Sequence, residues 1–177
     1  MDPRTPRCHP AERGEIHCHH LGGVCLIVSV FSVRVPRSEA DWRAYYELRW
    51  RILRAPWQAD GEARDASDDR STHRMLVCND TGRVIAVGRI HRQEEHPRQG
   101  QIRYMAVEQG YERRGHGSRL LLALEQAARE MALETVILHA REQALPFYRH
   151  HGYTLVEPSF LLFDTIQHYL MNKRIPG

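Results

Sequence analysis

Residues 104 to 124 constrain the fold of this chain more than any other stretch. An apolar strand runs to Val107. A glycine- and arginine-rich turn follows, Glu112-Arg113-Arg114-Gly115-His116-Gly117, and then a helix with Leu120, Leu121, Leu124 and Ala128 on one face. Strand, basic glycine loop and helix start make an anion site in that order. The first backbone N–H groups of a helix have no partner within it, and its dipole puts partial positive charge there. Gly115 and Gly117 let the backbone approach a ligand, and Arg113 and Arg114 add guanidinium forks suited to phosphate oxygens. The stretch reads as a pyrophosphate cradle completed by Ser118. It is neither a dinucleotide fingerprint, whose third glycine would fall on Leu120, nor a P-loop, because Ser118 follows Gly117 with no lysine between.

The rest of the chain fits one domain around this unit. With 177 residues, 42% of them apolar, it can bury a real core. Its net charge of +3 is too small to point to nucleic acid. Cys8, Cys18, Cys25 and Cys78 form no disulfide framework for a domain of this size, which points to a reducing, cytoplasmic compartment. Residues 1 to 23 read as a disordered extension and 24 to 177 as the domain. In the extension, Cys8, His9, Cys18, His19 and His20 lack the paired spacing of a zinc site, so no metal is expected. The apolar run from Leu21 to Val33 is too short to span a bilayer as a helix. It flows into an alternating Ser32-Val33-Arg34-Val35 and reads as the first strand, with a signal peptide as the alternative.

A helix is expected from an N-cap at Ser38 to about Arg54, closed by Ala55-Pro56. An acidic loop follows, with Asp60, Glu62, Asp65, Asp68 and Asp69. Strands are expected over 73–78, 84–91 and 102–107, the first two joined by a tight turn at 79–82. A helix over 118–131 then leads to a strand at 135–139, which should lie parallel to the strand before the loop. A short helix over 142–151 carries Pro146 in its first turn and Gly152 just beyond its end. Residues 153–156 and 168–172 should form a closing hairpin.

The cradle resembles the acetyl-CoA loop of the GCN5-related N-acetyltransferases, Gln/Arg-x-x-Gly-x-Gly/Ala after a strand, with Glu112 at the Gln/Arg position. Ala144-Leu-Pro-Phe147-Tyr148, ending in Gly152-Tyr153, is similar to that family's Ala-x-x-Phe-Tyr-x-x-x-Gly-Phe/Tyr helix. Leu48-Arg49-Trp-Arg51, Val87-Gly88-Arg89-Ile90, Leu138-His139-Ala140-Arg141 and Ile166-Gln167-His168 resemble an ElaA/YiiD-like bacterial subgroup, in which the last segment usually reads Ile-Pro-His. The resemblance spans about residues 33 to 174. It implies an α+β fold: a mixed, mostly antiparallel twisted sheet flanked by helices and splayed at a central parallel strand pair.

The implied chemistry is direct attack of an amine on the acetyl-CoA thioester. Backbone N–H groups at Met105, Ala106 and Val107 would meet the thioester carbonyl, freed by a bulge. Residues 113 to 118, with His116 contributing through the loop, would hold the pyrophosphate beside Phe147. Tyr148 would return a proton to the CoA thiolate. Glu108 is the first candidate for the base, with His91, His116, His168 or a water chain as alternatives. The acidic loop at 60–69 suggests attraction of a cationic amine. The partner expected is a small-molecule or peptide amine, with no nucleic acid or membrane, bound by a monomer or homodimer. Two rival readings remain. One is a non-catalytic acyl-CoA-binding module. The other is an arginine-rich nucleic-acid binder built on Arg49, Arg51, Arg54, Arg113 and Arg114.

Overall fold

A computed structural model describes residues 20–21, 24–25, 30–57 and 61–176. The expectations of a disordered tail, a zinc cluster or a signal peptide fall mostly on residues outside these. Only part of the long first strand enters the main sheet, as β3 (Phe31–Arg34). His20–Leu21 (β1) and Val24–Cys25 (β2) pair separately in an antiparallel hairpin.

The main sheet has seven strands in the order β3-β4-β5-β6-β7-β9-β8. β4 (Thr72–Cys78), β5 (Val84–Arg92) and β6 (Gln99–Val107) continue antiparallel from β3. β6 then pairs in parallel with β7 (Thr135–Arg141), which leads into β9 (Ile166–Arg174) and the edge strand β8 (Thr154–Leu162), both antiparallel. The closing hairpin is longer than its apolar segments suggest. Register irregularities in β8 accommodate Pro158, which an edge strand tolerates. Phe163 and Asp164, at φ 52° and 54°, turn the chain.

Two helices cover opposite faces. α1 (Glu39–Leu53) packs Tyr45 and Leu48 on Met75, Val77 and Val87, whereas α2 (His116–Glu130) packs Leu120, Leu121 and Leu124 on Leu76 and Ile90. Met75 and Val77 flank Leu76 in β4, so strand alternation sends them to different helices. Each buried leucine stabilises the fold by roughly 1.5–3 kcal/mol. Lys173, the one lysine of the chain, donates to both oxygens of the buried Glu125 at 2.8 and 2.7 Å and ties β9 to α2.

α2 begins at His116, two residues earlier than the leucine pattern implies. Gly115 sits at φ 80° as its N-cap, and the Arg119 N–H bonds to the Gly115 carbonyl at 3.0 Å. The short helix resolves into a 3₁₀ turn (Glu142–Ala144) and α3 (Leu145–His150), with Pro146 in its first turn and Gly152 at φ 83° after it.

Candidate active site

The site starts from an irregularity in β6. Val87 pairs with Ala106 and Arg89 with Arg103, so Gly88 alone opposes Tyr104 and Met105. Tyr104 takes φ 56°, a left-handed conformation rare for a non-glycine residue. Gly88 fits closely there, because a Cβ would come within 3.0 Å of Leu124 Cδ1 and 3.1 Å of Met105 Cγ and press on both side chains. The bulge turns β6 away from β7, and the parallel ladder ends at Ile102–Leu138. Residues 103–107 therefore face β7 without a strand partner, and the sheet opens into a cleft of about 580 Å³.

One end of the cleft is apolar, with Met105, Ala106 and Val107 on β6 and Leu138 and Ala140 on β7. The Tyr148 hydroxyl reaches it and points to Met105 Sδ at 3.7 Å. Burial pushes the Tyr148 hydroxyl up to about 12, so it keeps its proton at neutral pH. Phe147 packs edge-on to Tyr148 with centroids 5.0 Å apart. Its ring would lie 3.5 Å from a Cβ built on Gly117, so α3 and the start of α2 touch at the loop.

The loop itself fits an anionic ligand. α2 has no side-chain cap and no acidic residue in its first turn. Arg113 and Arg114 are exposed beside it, and a Cβ on Gly115 would meet nothing within 4 Å. Glu112, which breaks the expected pattern, folds back: its Oε2 accepts the Gly110 N–H at 2.7 Å. The His116 side chain is buried against Phe31, ring centroids 4.4 Å apart, so only its backbone faces the loop. Ser118 Oγ lies 2.9 Å from His151 Nε2.

The candidate bases separate by position. Glu108 is absent from the cleft wall and is held by arginines on two sides. Arg51 donates to its two oxygens at 2.6 and 2.7 Å and Arg83 to Oε2 at 2.9 Å. Those hydrogen bonds hold its carboxyl at about 2, against burial. A carboxylate so stabilised is a poor proton acceptor, and the geometry assigns Glu108 the task of tying α1 to the start of the loop. His91 is buried outside the cleft wall and is pushed down to about 4 by burial and by Arg89. His168 does line the cleft. Its Nδ1 lies 2.9 Å from the Ile166 carbonyl, which accepts only from a protonated Nδ1 and so leaves Nε2 as the basic nitrogen. Burial lowers its pKa, against the hydrogen bond to Ile166, and so favours the neutral ring.

The charges at the other end count against two expectations. Asp65 and Asp68 of the acidic loop do not attract a ligand, because buried arginines already hold them. Arg89 reaches Asp65 at 2.9 Å and Asp68 at 2.9 Å, and Arg49 reaches Asp68 at 2.9 Å. The Tyr104 hydroxyl donates to Asp65 at 2.7 Å. Nor do Arg49, Arg51 and Arg54 form a basic stripe, since Arg49 is buried and Arg51 pairs with Glu108. Arg103 and His139 also line the cleft; Arg103 lies outside every matched motif, and the motif that holds His139 gave it no role. Strand period could have found them. Ile137, His139 and Arg141 alternate with the buried Val136, Leu138 and Ala140, and Gln101 and Arg103 do the same in β6.

The family model described as Acetyltransferase (GNAT) family matches residues 42–153. An uncharacterised N-acetyltransferase of Bacillus subtilis, YjcF, is 30% identical over 112 residues, 63% of this chain and 76% of that protein. A crystal structure of an N-acetyltransferase from Lactobacillus plantarum superposes with a TM-score of 0.71 at 20% identity, covering 82% of this chain and 99% of that one. Escherichia coli ElaA does so with 0.63 at 17% identity, covering 82% and 99%. The bulged strand, the loop at the start of α2 and the matched sequence agree, and the chain belongs to the GNAT family of acetyltransferases.

Proposed function

We propose that the chain transfers the acetyl group of acetyl-CoA to an amine bound between β6, β7 and β9, by direct attack on the thioester. The observation that carries this reading is the Tyr148 hydroxyl at the apolar throat of the cleft, beside the bulge that frees the edge of β6. Arg113, Arg114 and the backbone from Gly115 to Ser118 bind the pyrophosphate, with Phe147 closing the loop from beneath. Backbone donors among Met105, Ala106 and Val107 orient the thioester carbonyl and stabilise charge as it moves onto oxygen. The amine forms the new C–N bond while the C–S bond breaks. Tyr148 gives its proton to the departing thiolate, and His168 Nε2 takes one from the attacking nitrogen.

Tyr148→Phe tests the assignment. Loss of the general acid should lower kcat by about 10²-fold and leave acetyl-CoA affinity, read by calorimetry, within about twofold. An unchanged kcat removes Tyr148 from the proton path. Failure of the wild-type protein to bind acetyl-CoA at all removes the donor assignment as well.

A further inference from the structure

The acceptor end of the cleft carries an excess of positive charge that the reaction itself does not require. Four guanidinium groups surround the Tyr104 ring. Arg49 lies 3.4 Å from its centroid, Arg103 5.0 Å, Arg89 5.1 Å and Arg54 5.9 Å. Only two carboxylates, Asp65 and Asp68, ion-pair with this group among the described residues, and the buried Arg49 and Arg89 take both. Arg103 stands 3.9 Å from Asp65, whose oxygens already accept from Arg89, Tyr104 and Ser67. Arg54 and Arg141 have no ion pair with a described residue. Among the described residues Arg141 donates only to the Leu53 carbonyl, at 3.4 Å, and it stacks on Trp57 at 4.3 Å.

These unmatched groups converge on one wall. Arg54, Arg103, Arg141, His139 and His168 all line the cleft. Arg141 pairs in register with His168 across β7 and β9, so both side chains leave the same face of the sheet. After burial, Arg103 depresses His139, and Arg54 depresses Arg141, so the positive charge of this wall is that of its three arginines. The one carboxylate in the wall, Glu112, belongs to the loop at the opposite end and is turned onto Gly110. Such a wall raises the local concentration of anions and repels a polycation.

We infer that the acceptor is an amine that also carries an anionic group, a carboxylate or a phosphate, held by Arg103 and Arg141. This rests on the acetyl-transfer reading above and adds the charge of its second substrate. The planar forks of the two arginines suit either oxyanion. The anion anchors the acceptor, leaving its amine free to approach His168. Because the wall disfavours a second positive charge, polyamines and other multiply cationic amines are poor acceptors.

The test uses the full chain saturated with CoA, which fills the donor site and prevents turnover. β-Alanine, 2-aminoethyl phosphate, propylamine and 1,3-diaminopropane are titrated into it by calorimetry at one fixed salt concentration. One of the two anionic amines should bind at least about tenfold more tightly than propylamine, and the diamine should be weakest. Which anionic amine wins distinguishes carboxylate from phosphate. Arg103→Gln and Arg141→Gln should each weaken the preferred anionic probe about tenfold and leave propylamine unchanged. Three results overturn the inference: propylamine or the diamine binding as tightly as the anionic probes, no binding of either anionic probe, or no effect of either substitution. Because the probe comparison runs on the wild-type protein, misfolding of a variant cannot hide the answer. Loss of CoA binding itself would instead overturn the acetyl-transfer reading beneath it.

Discussion

α1 and α2 are each 15 residues long, and their N-termini are built in opposite ways. α1 closes its own end. Ser38 Oγ accepts the Asp41 N–H at 3.1 Å, the Asp41 carboxylate accepts the Ser38 N–H at 3.3 Å, and Glu39 and Asp41 set negative charge against the dipole. α2 closes nothing. Its cap is a glycine, its first turn holds no acid, and two exposed arginines precede it. Both ends carry the same unsatisfied donors. The first spends them on the chain's own oxygens, while the second keeps them for an anion from outside. A helix start is a structural device or a binding site according to whether its sequence supplies the acceptor.

The strongest way to break this contrast is to give α2 the negative charge that α1 already has. In Arg113→Glu combined with Arg114→Glu, two carboxylates replace the guanidiniums beside the open helix start. Acetyl-CoA affinity should fall by about 10²-fold, the scale expected when two charge-assisted hydrogen bonds to phosphate are removed. The melting temperature should barely move, because both residues are exposed and the loop keeps its glycines. A double variant that still binds acetyl-CoA as the wild type does would show that the pyrophosphate lies elsewhere.

This difference between the helix starts was largely legible in the sequence. Ser38 with Asp41, and Arg113-Arg114-Gly115 before Leu120, are local signals, and local signals survive into the fold. The order of strands and the two helix faces were legible for the same reason, since apolar period is read over a few residues. The pairing of charges was not. Asp65 meets Arg89, 24 residues away, and Glu108 meets Arg51, 57 residues away. Nothing in the local pattern marks such partners. Asp65 and Asp68 therefore looked like part of a lure for cations and Glu108 like a base, when all three are held by buried or bridging arginines. The cationic wall was hidden for the complementary reason: its members come from the residue after α1 and from β6, β7 and β9, and the bulge at Tyr104 opens the sheet where they meet.

Acid separates the two helix starts more gently. The Asp41 carboxyl lies below its ordinary 3.8, chiefly because the Arg37 N–H donates to it; burial opposes this, and Ser38 and Arg34 add to it. A carboxyl whose folded value is depressed adds stability that is complete above its unfolded value and lost as pH falls toward its folded one. Asp41→Asn should therefore lower the melting temperature at pH 7 and flatten its fall below about pH 4, relative to the wild type. α2 has no first-turn carboxylate to protonate. Parallel curves for the wild type and Asp41→Asn across that range would show that Asp41 makes no net contribution to the capping of α1.

The smallest effect isolates the backbone of the open helix start. Gly115 adopts φ 80°, and a Cβ placed on it would meet no heavy atom within 4 Å. Gly115→Ala therefore tests conformation without a clash inside the protein, and the left-handed backbone should cost roughly 1 kcal/mol, read as a small drop in melting temperature. Gly115→Asn should recover part of that loss, because asparagine tolerates this region better. The room beside Gly115 is open in the protein, so any further fall in acetyl-CoA affinity in the alanine variant measures how closely the ligand approaches. An affinity that drops well beyond the stability change places the pyrophosphate against this Cα. An affinity equal to the wild type leaves the two arginines and the later N–H groups to do the binding, and the glycine serves only to start the helix.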